Sequence, residues 1–376
     1  MLFRSGHYQP DVAPATDKKI AIIGAGPGGL SAAYFLQQKG HQCDIYEAAP
    51  LPGGWLRYGI PEYRLPNDVL DKEIQTITEL GVNIYCNQKL GDNLSYKDLR
   101  DKYNGVILTI GSQKGTSLRA EGEDAENVIS GIEFLRNLEM TGQKPDLKGK
   151  TVGVVGGGNT AMDCCRTAKR CGAEKVYVIY RRAEEQMPAN QIEVHESKLE
   201  GVEYMLLTNP VKVNKDKHGK LLSLTLVKMQ LGEPDSSGRR RPVPIEGSEF
   251  DMEFDIVLAA IGQKTEVNFL EDINKHSNNG KLELNRWGDI HADEDTLQTG
   301  MENVFAAGDG VTGPATIIEA IAQAKTASES CHHYLTGQSL RADKNEFISR
   351  KENFRELTKN DFSGRYKQQM RQEMPT

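Results

Sequence analysis

Residues 20–29 read IAIIGAGPGG, and residues 151–161 read TVGVVGGGNTA. In each, a short β-branched run stops at a glycine turn: G-x-G-x-x-G at Gly24, Gly26 and Gly29, and G-x-G-x-x-A at Gly156, Gly158 and Ala161. Beyond the first turn, apolar residues Leu30, Ala33 and Leu36 recur at helical spacing up to Gly40, and a strand-like run follows at Cys43–Tyr46. The second turn repeats the grammar, with AMDCCRTAKRC, Gly172 and then KVYVIY at 175–180. Two such βαβ units predict an α/β fold with two doubly wound, Rossmann-like dinucleotide-binding domains.

Glycines serve three purposes in such a turn: the chain reverses tightly, a pyrophosphate approaches the backbone, and helix and strand pack closely. The helix N-terminus adds N–H donors and partial positive charge. What distinguishes the two units is the end of their second strand. Glu47 closes the first, where a carboxylate accepts hydrogen bonds from ribose hydroxyls and repels a 2′-phosphate, as suits FAD or NAD. Arg181 and Arg182 close the second, where guanidinium groups pair with a 2′-phosphate and favour NADP(H); a solvated surface pair is the alternative.

One tightly held flavin and one exchangeable nicotinamide imply hydride transfer between them, chemistry that belongs to the cofactors and needs no protein nucleophile or general base. No catalytic side chain is assigned. His195, His291, His332 and His333 are expected at the surface. Asp309, after the run VFAAG, is placed to accept a hydrogen bond from a flavin ribityl chain, or simply to cap a helix. Ala315, Thr316 and Ile317 begin a helix whose amides face the pyrimidine end of the ring.

Around these motifs the chain divides into an arm (1–19), the first part of the FAD domain (20–115), an inserted NAD(P)H domain (116–254), the second part of the FAD domain (255–340) and a polar tail (341–376). GVILTIG at 105–111 and DIVLAAIG at 255–262 read as parallel strands ending at a crevice. Residues near 203–254 alternate apolar and polar, with turns at Lys217–Gly219 and 234–238, and predict an antiparallel meander. The tail carries apolar anchors at Phe347, Ile348, Phe354, Leu357, Phe362 and Tyr366, and reads as a solvated helix or strap, or as a docking segment.

A net charge of −7 argues against nucleic acid as partner. Residues 1–19 lack the apolar core of a signal peptide, and no run is long and apolar enough for membrane insertion. Six cysteines without a CxxC pair indicate neither a metal nor an iron-sulfur cluster, and suit a cytoplasmic protein.

The stretches IAIIGAGPGGLSAAYFL, GGWLRYGIPEYRLP (53–66), GGGNTAMDCCRTA (156–168), YRRAEEQMPA (180–189) and AAGDGVTGPATIIEAI, in this order, resemble the glutamate synthase small (beta) subunit family, itself similar to the reductase half of dihydropyrimidine dehydrogenase. The resemblance implies FAD contacts at Gly24, Gly26, Pro27, Gly28, Gly29, Glu47, Gly54, Trp55, Arg64, Leu90, Gly308, Asp309, Ala315, Thr316 and Ile317. Arg64 is the cation offered to the pyrophosphate, and Trp55 follows paired glycines that bring backbone close to the cofactor or is packing alone. It implies NADP contacts at Gly156, Gly158, Asn159, Thr160, Ala161, Arg181, Arg182 and Gly262.

Members of that family carry a cysteine-rich cluster domain before the first strand, where this sequence has only residues 1–19 and ends at Met374–Pro375–Thr376. The expectation is therefore a flavin subunit that exchanges electrons with a separate iron-sulfur partner, in a complex similar to glutamate synthase or an electron-bifurcating transhydrogenase. Two alternatives stand beside it. A disulfide reductase of the thioredoxin reductase type would use Cys164–Cys165, and a flavin-containing structural subunit would use Arg239–Arg241 as a docking knob. The oligomeric state is left open.

Overall fold

The computed structural model describes residues 10–234 and 239–340. Five parallel strands form the first sheet in the order Val304–Ala306, Gly105–Leu108, Lys19–Ile23, Gln42–Tyr46, Asn83–Tyr85. The helix Pro27–Gln38 makes the crossover between the third and fourth of these, as parallel pairing requires. Against it lies the long helix Ile317–Thr336. Their seam is built from fully buried Ala32, Ala33, Ala324 and Ala327, small enough for the helices to approach until Ser328 Oγ donates to the Ala32 carbonyl at 3.3 Å.

After Leu108 the chain leaves this sheet and builds a second. Its order is Val128–Ser130, Ile256–Ala259, Thr151–Val155, Lys175–Tyr180, Glu203–Leu206, again all parallel. Strands Ile20–Ile23 and Val152–Val155 are buried along their whole length, because both faces of each sheet are covered, the second sheet by helices on one side and by Val213, Leu221, Leu224 and Leu226 of an antiparallel meander on the other.

Two details differ from the sequence reading. Ile256–Ala259, assigned to the second part of the FAD domain at 255–340, pairs inside the second sheet; its apolar run marked burial without saying which sheet buries it. Glu203–Leu206, read as the start of the meander, is a parallel edge strand of that same sheet. The antiparallel meander itself comprises Thr208–Lys215, Leu221–Pro234, Arg240–Pro244 and Phe250–Glu253. Its first turn is closed by Asp216 Oδ1, which accepts from the amides of His218 (2.7 Å) and Lys220 (3.0 Å). The two crossings between the sheets run side by side, Lys114–Gly115 pairing with Gln263–Lys264, so the second domain is inserted into the first. The tail 341–376 lies outside the described residues.

Candidate functional site

The first glycine turn is shaped by contacts that leave no room for side chains. Gly24 has φ +104°, and a methyl group there would stand 2.4 Å from the Thr109 carbonyl oxygen; one on Gly29 would stand 1.9 Å from the carbonyl oxygen of Gly24. Gly26 faces a second glycine turn: the Gly53 amide donates to Ala25 O at 2.8 Å, and a methyl on Gly54 would meet Gly26 Cα at 2.6 Å. Gly26 caps the helix that begins at Pro27 without a side-chain hydrogen bond, and its first turn holds no acidic residue. Free N–H donors at a bare helix start suit a pyrophosphate.

Glu47 is buried at the end of its strand. Its Oε2 accepts from Ala25 N at 2.6 Å and its Oε1 from Ala49 N at 2.7 Å, so the carboxylate ties the glycine turn to the next loop. Burial pushes its pKa up; the amides of Ala49 and Ala25, and then the charge of Arg136, pull it back. A cavity opens over this turn. Gly24, Gly26, Pro27, Gly28, Glu47, Gly54, Trp55, Leu90, Gly308 and Asp309 all line it.

Lys89, Thr109, Phe269 and Arg136 line it as well, and sequence reasoning missed them. None sits in a glycine motif; Arg136 arrives from a helix of the inserted domain, Gly131–Thr141, and only the tertiary fold brings it here. Asp309 Oδ1 accepts from Ala315 N at 3.3 Å, and burial raises its pKa to about 6. Ala315, Thr316 and Ile317 are exposed and do not line the cavity; Thr316 and Glu319 form a capping box there.

Arg64, assigned by resemblance to the pyrophosphate, also stands outside the cavity lining. Its Nη1 donates to Asp163 Oδ1 at 2.6 Å, and its Nε lies 3.1 Å from Glu193 Oε1.

The second turn repeats the first with different neighbours. Gly156 has φ +148°, and a methyl there would stand 2.2 Å from the Ala260 carbonyl. The helix Asn159–Arg170 starts at Gly158 with no side-chain cap and no acid in its first turn, as Thr160 and Ala161 enter it. Asn159 Oδ1 instead accepts from Asn190 N at 2.9 Å, bracing the helix start. Arg181 is exposed and Arg182 buried, with Arg182 Nε donating to the Arg240 carbonyl at 2.9 Å. Partial burial lowers the Arg181 pKa, and the positive charges of Arg182, Arg239 and Arg119 lower it further. Arg119 escaped the sequence reading and Arg239 entered it only as part of a docking knob, because neither adjoins the glycine motif. Gly262 belongs to the crossing, where its carbonyl accepts from Thr116 N at 3.0 Å.

A family model described as pyridine nucleotide-disulphide oxidoreductase matches residues 18–324. The chain belongs to that family. Within it, the NADP(+)-dependent formate dehydrogenase subunit beta of Moorella thermoacetica is 45% identical over 325 residues, covering 86% of this chain and 45% of the relative. The chain thus spans less than half the length of that protein. The glutamate synthase [NADPH] small chain of Escherichia coli (strain K12) is 35% identical over 342 residues, covering 87% of this chain and 71% of the relative, so the chain is a glutamate synthase small chain-like member. In fold it matches Mycobacterium tuberculosis FprA in complex with NADPH, with TM-score 0.72 at 19% identity over 86% of this chain and 85% of that one.

As a pyridine nucleotide-disulphide oxidoreductase, the protein has two cradles that fit the cofactor pair FAD and NADP(H). The disulphide half of the family name has no counterpart at the cavity. All six cysteines are free, and none lines it. Cys164 and Cys165 are fully buried in the helix Asn159–Arg170, where Cys164 Sγ donates to Gly131 O at 3.4 Å and Cys165 Sγ to Met162 O at 3.2 Å. His195 and His291 are exposed, as expected. His332 and His333 are instead half-buried, and His332 Nδ1 lies 2.8 Å from Nε2 of the buried His41. Among the described residues no cluster suits a metal, and no helix is long and apolar enough to cross a membrane.

Proposed function

We propose that the Glu47 cradle holds FAD and the Arg181–Arg182 cradle holds NADPH, and that the protein moves a hydride between them as one end of an electron path. The observation that carries this reading is the contrast between two otherwise matching turns. Both offer an uncapped helix N-terminus to a pyrophosphate, yet one meets a buried carboxylate and the other a group of arginines. When bound, FAD exchanges two electrons with the nicotinamide and passes electrons onward singly. The protein's part is to bind, orient and exclude water: Glu47 would hold the adenosine ribose, while Trp55, Leu90, Gly54 and Asp309 line the cavity that would receive the rest of the cofactor. Gly156, Gly158 to Ala161 and Gly262 receive the nicotinamide dinucleotide.

Beyond this chain, the reading takes electrons to or from an iron-sulfur partner subunit. Support comes from the relatives, named as a subunit beta and a small chain. Six unpaired cysteines fit a reducing cytoplasm. Anaerobic titration of the FAD-loaded protein with NADPH and NADH tests the core of the reading. Bleaching of the flavin absorbance by NADPH at far lower concentration than by NADH is expected; a flavin that neither nucleotide bleaches overturns it. Co-purification tests the partner, and a chain fully active with its physiological acceptor in isolation overturns that part.

A further inference from the structure

Arg64 belongs to the first domain, yet the two carboxylates that its side chain meets belong to the second. Arg64 reaches Asp163 on the helix Asn159–Arg170 and Glu193 on the helix Gln191–Leu199. Asp163 is 5% exposed and lies one turn beyond the glycines of the second cradle. Glu193 is shared: Arg166 Nη1 pairs with its other oxygen, while Arg166 Nη2 binds Glu200 Oε1 at 2.6 Å and Arg170 Nη2 binds it at 2.7 Å. Tyr63, next to Arg64, slides under the same cations, its ring centre 4.0 Å from Arg170 and 5.2 Å from Arg166. The dipeptide Tyr63–Arg64 is therefore plugged into a charged socket on the inserted domain.

A buried carboxylate so close to the cradle calls for an explanation. Removing Asp163 from water pushes its pKa up to about 6, a cost that a core residue would avoid, and the nearby Arg64 charge only partly offsets it. As packing alone the socket gives little in return. As a geometric device it has a clear use, because a planar guanidinium held by two separate carboxylates fixes distance and angle between the two bodies it joins. Hydride transfer needs the donor and acceptor carbon and nitrogen within about 3.5 Å, and a misplacement of about 1 Å costs on the order of a hundredfold in rate.

We infer that Asp163 and Glu193 are positioning residues for hydride transfer: by holding Arg64 they fix the NADPH cradle against the FAD domain. The inference rests on the assignment of the two cradles to FAD and NADPH made above. It concerns alignment and not affinity, since neither carboxylate is a proposed ligand of either cofactor.

The test compares Asp163→Asn, Glu193→Gln and the double variant, in the full chain loaded with FAD. Stopped-flow reduction of the flavin at saturating NADPH is expected to slow by about tenfold or more in the double variant. FAD content and the NADPH dissociation constant should stay within about twofold of the unchanged protein. Hydrogen exchange of residues 61–66, measured on the FAD-free chain, is expected to speed up in each variant, and Asp163→Glu to restore part of the rate. An unchanged reduction rate in the double variant overturns the inference, as does loss of FAD, which would make the carboxylates part of flavin binding. Should Asp163→Asn not fold, Glu193→Gln reports alone by the same criteria. Failure of the underlying assignment looks different: the unchanged protein itself would not be bleached by NADPH.

Discussion

A methyl group on Gly29 would stand 1.9 Å from the carbonyl oxygen of Gly24, while one on Gly26 meets nothing nearer than Gly54 Cα at 3.8 Å. The glycines of one motif therefore answer to different demands. Gly29 is required by the chain itself, since its helix lies against the preceding turn. Gly26 is open in the free protein and closed only by a ligand that approaches the backbone.

Gly29→Ala is expected to destabilise the fold by about 3 kcal/mol or more, because backbone must shift to relieve the contact. Gly26→Ala should leave the melting temperature of the FAD-free chain nearly unchanged and abolish FAD retention. Thermal melts and the flavin-to-protein absorbance ratio separate the two. Equal loss of stability in both variants would contradict the distinction.

In the second cradle the arginines differ in exposure. Arg182 is buried and holds the Arg240 carbonyl, so it supports the meander as well as any ligand. Arg181 is exposed. Arg181→Gln is expected to raise KM for NADPH by roughly tenfold or more with KM for NADH unchanged, as loss of one charged pair to phosphate implies. Arg119→Gln and Arg239→Gln should act in the same direction and more weakly, since their charges act on Arg181 from neighbouring segments. A parallel rise for NADH would assign these residues to the fold instead.

The two glycine motifs and the strand runs around them made the fold readable, because periodicity of two and of 3.6 and the turn glycines are local properties. Glu47 was readable too, its place at the strand end being fixed by the unit it closes. Arg136, Lys89 and Arg119 were not, nor was Arg239 as part of a cradle, since what brings them there is the packing of a helix, a loop and a hairpin from elsewhere in the chain. Ile256–Ala259 shows the same limit: a buried parallel strand looks alike in either sheet, and only its pairing with Thr151–Val155 decides. Arg64 carries the sharpest lesson. The resemblance offered it to the pyrophosphate, while the structure pairs it with two carboxylates, Asp163 and Glu193, that no motif brings into view.

Burial also makes a prediction for the cysteines. Cys164 and Cys165 are fully buried, and burial raises both thiols, Cys165 to about 12, so the thiolate is scarce at neutral pH. A double Cys164→Ser, Cys165→Ser variant is expected to retain NADPH-driven flavin bleaching within about threefold, the loss reflecting packing. Neither thiol should react with iodoacetamide before unfolding. Rapid alkylation of either in the native protein, or a bleaching rate that collapses in the variant, would reopen the disulfide reductase reading.

Asp309 ties the cavity to pH. Burial raises its carboxyl from 3.8 to about 6 against the pull of the Ala315 amide, and the charge of Glu319 adds to the rise. The folded chain thus binds that proton more tightly than the unfolded chain does. The stability it confers is full below pH 3.8 and lost as pH rises through about 6. Asp124 and Asp216 have lowered pKa values and act in the opposite sense, with stability lost as pH falls, so a melt of one protein mixes both. Asp309→Asn isolates the term, because the amide does not titrate and nearly preserves shape. Between about pH 4 and pH 7 the melting temperature of the FAD-free variant is expected to rise relative to that of the unchanged chain, with most of the change centred between 3.8 and about 6. A difference that stays constant over this range would mean that Asp309 titrates as an ordinary surface carboxylate and that its side chain does not face a dry cavity.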